Sequence, residues 1–245
     1  MRFFILGDSW GVGEWTNKTH FFEPVPGTGL DHYLREFGHS VTNISAGSAG
    51  NFGQLRHAYW TLKQDHQYDY AVWFHTESFR DIQEIIIDDP EEAAIQFPEF
   101  DITKFDSSLA YINHQNYKYA QMISEEYNIP FIVVGGQSPV GSSIVNFSFA
   151  RHVIPNWLSE LLGGINTPIN TFFSFEKIQR ILDHYQLSQR QYIIDHLDQL
   201  DQQSRVEDFA KRSANFPDNC HPARHCFQLL AKRILGIVER HAQQT

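Results

Sequence analysis

The sequence predicts an α/β protein built on a parallel sheet, and three observations carry that prediction. Phe3–Leu6 (FFIL) is a short unbroken apolar run, the pattern of a strand covered on both faces. Tyr70–His75 (YAVWFH) and Phe131–Val134 (FIVV) repeat that pattern far downstream. Segments with helical periodicity lie between these runs. Alternating strand, helix and strand at such spacing predicts parallel pairing through crossover helices.

Taken in order, the first strand ends at Gly7, and Trp10–Gly29 reads as a Gly- and Pro-rich loop. Gly29–Phe37 (GLDHYLREF) has a short helical pattern that Gly38 stops. Val41–Ser45 reads as a second strand, Ser45–Gly53 as a loop of small residues, and Gln54–Lys63 as a helix. Tyr70–His75 is the third strand. Residues 81–103, with their acids and prolines, read as an irregular excursion. Asp106–Tyr127 is an amphipathic helix closed by Ile129-Pro130, and the fourth strand ends at Gly135-Gly136. Residues 141–215 break the rhythm: Asn156–Leu162 is apolar, Gly163-Gly164 a turn, and Phe175–Leu200 a polar-rich helical stretch. This segment reads as a helical insertion, either a lid or an elaboration packed at the sheet edge. Pro222–His241 is a final helix with apolar residues at Phe227, Leu230, Ile234 and Val238. The order is that of a flavodoxin-like, three-layer α/β/α sandwich, a single domain over residues 1–245.

Composition narrows the function. A hydrophobic share of 42% supplies a core for one large domain. The net charge of −10, with no Lys/Arg cluster, disfavours nucleic acid and anionic membrane surfaces as partners. No transmembrane stretch is present, and Phe3–Leu6 is too short for a signal core and is followed by Asp8. Cys220 and Cys226 do not make a disulfide framework. The expectation is a cytoplasmic protein.

Ser9 follows the first strand at its C-terminal edge, where open α/β sheets bind ligands. A serine hydroxyl needs a base to become a nucleophile. Asp218-Asn219-Cys220-His221-Pro222 supplies one near the other end, with aspartate and histidine close enough to share a turn. Ser9 is the candidate nucleophile, His221 the base and later the acid, and Asp218 the group that orients the imidazole. The ordinary alternative makes Ser9 a helix cap. Asp8 reads as a turn-fixing residue, not a catalyst. Gly7–Gly11 also matches G-x-S-x-G, but only one strand precedes Ser9 here, whereas the nucleophile elbow of α/β-hydrolases follows several.

GDS after the first strand together with DxxH before the last helix resembles the SGNH (GDSL) hydrolases, a family of serine esterases and lipases. The similarity spans residues 1–140 and 216–242. It implies an acyl-enzyme mechanism without metal or organic cofactor. It also implies an oxyanion hole made by the backbone N–H of Ser9 and by a second backbone N–H in the loop after the second strand, at Gly47 or equally Ser48. The family's third donor is an asparagine in a GxND-like motif after the third strand. This sequence has His75-Thr76-Glu77-Ser78-Phe79-Arg80 there, with Glu77 near the expected place. Thr76 or Ser78 offers a hydroxyl instead, and Asn51 an amide from the neighbouring loop. A carboxylate beside a developing oxyanion would raise the barrier unless it points away or pairs with Arg80.

Other residues have competing readings. His221 and His225, flanked by Cys220 and Cys226, suggest a metal site, but Pro222 turns the two histidines apart and the cysteines read as buried thiols. His20, His32 and His75 are pocket candidates. Trp10, Trp15, Phe21 and Phe22 form either a sugar- or acyl-binding cluster or part of the core. The resulting expectation is an esterase acting on acetyl or acyl esters, such as those of an acylated carbohydrate. The alternative is a catalytically weak protein of the same fold that binds a glycan or a partner. The oligomeric state is not legible.

Overall fold

The computed structural model describes residues 1–16, 23–76, 78–81, 91, 95, 97–99, 105–136, 139–161, 214–218 and 221–243. Five parallel strands form one sheet: β1 (Arg2–Gly7), β4 (Ser40–Asn43), β5 (Tyr70–His75), β6 (Phe131–Gly135) and β7 (Ala150–Ile154), in the order β4-β1-β5-β6-β7. The short strands β2 (Trp15–Thr16) and β3 (Glu23–Pro24) pair antiparallel outside it. The helices are α1 (Ser9–Val12), α2 (Leu30–Glu36), α3 (Asn51–Gln64), α4 (Phe79–Asp81), α5 (Phe105–Tyr127), α6 (Trp157–Leu161) and α7 (Arg224–Ala242).

Strand geometry divides the core into two layers, because successive side chains point to opposite faces. Phe3 and Ile5 pack with Leu30 and Leu34 of α2 and with Phe227, Leu230 and Ile234 of α7. Phe4 and Leu6 pack on the other face with Leu55 and Leu62 of α3 and with Tyr117 and Ile123 of α5. The sheet is thus covered on both sides, as its apolar strands demand. The three-layer α/β/α sandwich predicted from the sequence is the observed architecture.

Two expectations change. Residues 141–215 are not a helical insertion at their start, because Ala150–Ile154 is the fifth strand of the sheet, hydrogen-bonded to β6. Residues 162–213, which hold most of the proposed insertion and candidate lid, lie outside the described residues. The segment after Ser9 is not all loop, since it contains α1 and β2.

The chain leaves β1 toward β4 on one side and returns to β5 on the other, so β1 and β5 flank the switch point where ligands bind in such sheets. Gly7 closes β1 opposite Phe74 at that point. Its φ is +147°, and a Cβ there would lie 2.6 Å from the Phe74 Cβ. Gly7→Ala should therefore combine backbone strain with overpacking and lower stability by about 3 kcal/mol. Urea unfolding should show a reduced midpoint at unchanged slope.

Candidate active site

Asp8 is the N-cap of α1 and Ser9 is that helix's first residue, so the capping role belongs to Asp8 and not to Ser9. Asp8 Oδ1 accepts the Trp10 N–H at 3.0 Å. Asp8 Oδ2 accepts the Thr76 hydroxyl at 2.9 Å and lies 3.7 Å from the Arg80 guanidinium. The carboxylate is fully buried, which its hydrogen bonds and cation make tolerable. This network ties the end of β1 to the segment after β5, and Ser9 projects from the tie.

Asp218 and His221 come together through their own short turn. Asp218 Oδ1 accepts the His221 backbone N–H at 2.7 Å, and Oδ2 lies 2.5 Å from His221 Nδ1. A proton on Nδ1 is the tautomer that this carboxylate favours, which leaves Nε2 as the site for a proton taken from elsewhere. Both side chains are buried. Ala223 then caps α7, and its N–H bonds the Asn215 carbonyl at 2.7 Å.

Trp15 connects the two halves. Its Nε1–H donates to the Ser9 carbonyl at 2.9 Å. Its ring stacks on the His221 imidazole with centroids 4.9 Å apart and planes 23° apart. A Cβ added to Gly47 would sit 3.1 Å from Trp15 Cη2. One indole thus touches the Ser9 backbone, the His221 ring and the loop after β4. Of the four aromatics after Ser9, Trp15 is at the site and Trp10 is in the core, while Phe21 and Phe22 lie outside the described residues.

Glu14 is a site residue that the sequence reading missed. Its carboxylate accepts the Arg224 backbone N–H at 2.7 Å and the guanidinium at 2.7 and 3.3 Å. That hydrogen bonding holds the Glu14 carboxyl below its ordinary value of 4.5, against the opposing effect of burial. No local pattern signals a partner 210 residues away; an acid in a Gly/Pro-rich loop reads as solvated.

The remaining candidates have different places. Gly47 and Ser48 form an exposed turn closed by the Ala49 N–H on the Ala46 carbonyl. Ser48 holds a φ of +64°, and Ala46 N–H anchors the turn to Gly7 O at 3.0 Å. Asn51 and Thr76 serve structure: the Asn51 amide clasps the Thr76 backbone, donating at 2.8 Å and accepting at 2.9 Å. The Ser78 hydroxyl donates to Asn113, whose Oδ1 also meets His75 Nε2. Glu77, His20 and Cys220 lie outside the described residues.

His32 pairs with Glu36 on α2. His225 faces Asn215, away from the Asp218 partner of His221. Burial pushes the Cys226 thiol up to about 11, so at neutral pH it is a protonated packing group and not a thiolate ligand. Among the described residues, no group of three or more His, Cys, Asp or Glu is arranged to hold a metal. A cleft of about 320 Å³ lies between Val12, Pro24–Pro26, Arg35 and Asn43, and Ser9, Trp15, Asp218 and His221 do not line it.

The Glu14 clamp has a pH signature. A carboxyl lowered in the folded state stabilises the fold fully above its ordinary value of 4.5 and loses that contribution as pH falls through the folded value. Glu14→Gln should therefore lower thermal stability at pH 7, and the gap from wild type should shrink as pH is taken below 4.5. Melting curves across that range test it.

No protein-family model matches the chain. No curated protein sequence matches it either. Among solved structures it is similar to a psychrotrophic esterase, EstA, from Pseudoalteromonas sp., solved with monoethylphosphonate as inhibitor. The TM-score is 0.50 at 11% identity, over 99% of this chain and 98% of that one. It is also similar to a putative arylesterase from Agrobacterium tumefaciens (TM-score 0.46, 11% identity, 98% of each chain). An acetyl xylan esterase, AlAXEase, matches with TM-score 0.41 at 10% identity, over 97% of this chain and all of that one. At 11% identity, what EstA shares with this chain is the fold, the three-layer α/β/α sandwich described above.

Proposed function

We propose that the protein is a serine esterase in which Ser9 attacks the ester carbonyl and His221 takes its proton. The observation that carries this reading is the double grip of Asp218 on His221, joined to Ser9 through Trp15 at the sheet's switch point. The esterase fold of the EstA neighbour supports it. Asp218 orients the imidazole through Nδ1 and stabilises the imidazolium. His221 then returns the proton to the leaving alcohol. A water activated by the same histidine hydrolyses the acyl-Ser9 ester, and Ser9 regains its proton.

The oxyanion in this reading is held by the backbone N–H groups of Ser9 and of Gly47 or Ser48. The side chains offered for a third donor are committed: Asn51 to the Thr76 backbone, Thr76 to Asp8 and Ser78 to Asn113. A hole with one donor fewer costs about 100- to 1,000-fold in rate, so a slow esterase is expected. The proposed substrate is a soluble ester such as an acylated sugar, met in the cytoplasm. No helix among the described residues is long and apolar enough to cross a membrane. The same committed side chains favour one competing reading, a binding module for a glycan or protein that keeps the fold and turns over little.

A fluorophosphonate probe separates the two. The esterase reading expects labelling at Ser9, mapped by peptide analysis, that is lost in Ser9→Ala and His221→Ala. Asp218→Asn should keep the fold and lower kcat about 10,000-fold. Folded wild-type protein that takes no label would reject the nucleophile and favour binding. Turnover retained in Ser9→Ala would reject Ser9.

A further inference from the structure

We propose that Glu14 and Trp15 form a strap that positions His221, a role that rests on the esterase reading above. A carboxylate bonded to Nδ1 fixes one edge of an imidazole but leaves the ring able to tilt about that bond. The Trp15 face, 4.9 Å from the imidazole and 23° from parallel, restrains the tilt. The indole is itself referenced to the nucleophile, because its N–H holds the carbonyl of Ser9. The base is therefore aligned against the backbone of the residue it must deprotonate.

The neighbouring residue fixes the chain just beyond the base. Glu14 holds both the backbone N–H and the guanidinium of Arg224, three residues beyond His221 at the first turn of α7. Two consecutive residues thus grip the face of the imidazole and the start of the helix that follows it.

The strap's backbone is in turn anchored. Glu14 N–H donates to Thr28 Oγ1 at 3.2 Å, Glu14 O accepts the Val25 N–H at 2.7 Å, and Trp15 pairs with Pro24 in the β2–β3 ladder. Thr28 completes the loop by donating to the Val25 carbonyl.

The contacts make Trp15 and Glu14 positioning residues. They act on how often Nε2 points at the Ser9 hydroxyl, and so on kcat more than on KM. The test uses the full chain with p-nitrophenyl acetate as substrate, alongside NMR of protein labelled with ¹³C-histidine. The chain has 13 histidines, so His221→Gln assigns the signal. In wild type, the His221 ring protons should show an upfield ring-current shift from the indole.

Trp15→Leu should abolish that shift and lower kcat about 10- to 100-fold, with KM changed less than about threefold. Trp15→Phe, which keeps a stacking face, should restore part of the shift and most of the lost kcat. Glu14→Gln should give a smaller fall in kcat at the same KM. A wild-type spectrum without the shift overturns the proposal. So does Trp15→Leu with unchanged kcat, or with an effect confined to KM. A wild-type protein that neither hydrolyses nor takes the fluorophosphonate label sinks the esterase reading by itself. The NMR arm then decides the strap, which stands if the shift is present in wild type and lost in Trp15→Leu, and falls if it is absent.

Discussion

The buried carboxylate of Asp8 is the contact on which the site depends. It caps α1, takes the Thr76 hydroxyl and faces the Arg80 guanidinium. It thereby ties together the ends of β1 and β5, the two strands flanking the switch point. A carboxylate without partners in that position would be costly to bury. Gly7 makes the approach feasible, since any side chain there would strike Phe74. Everything that Ser9 contributes is set by where this tie leaves the first turn of α1.

A second buried acid repeats the device one layer away. Asp81 Oδ1 accepts the Phe52 N–H at the start of α3, and Oδ2 accepts the Asn116 amide from α5. With the Asn51 clasp on the Thr76 backbone, it locks the segment after β5 against the start of α3. Asn51 is engaged in that lock through its carbonyl oxygen and one N–H. Both ends of its amide are spent on rigidity. Around the Asp218–His221 pair, the side-chain amides of Asn51 and Asn116 thus serve as scaffold.

How far the sequence could be read follows the range of the interactions. Strands β1, β5 and β6 were legible because burial on both faces leaves an unbroken apolar run. Strand β7 was not. Ala150–Ile154 is an edge strand with an exposed arginine and a half-buried histidine, so it carries no such run. Helix α3 begins at Asn51, three residues before the expected Gln54, because a tertiary partner, Asp81, satisfies its first turn. Local propensity does not record a cap supplied from elsewhere in the chain.

The sequence by itself determined the layered α/β architecture and the candidate residues Ser9, Asp218 and His221. Unbroken apolar runs and the three-residue spacing of Asp218 and His221 are local properties, written in adjacent residues. Only the tertiary structure decided which side chains surround those candidates. Trp15 could equally have been core, and Glu14 a solvated loop acid. Their partners, His221 and Arg224, lie more than 200 residues away. Contacts of that separation are created where α7 packs beside α2 on the Phe3 and Ile5 face of the sheet, which brings the two ends of the chain together. No pattern within either segment encodes them.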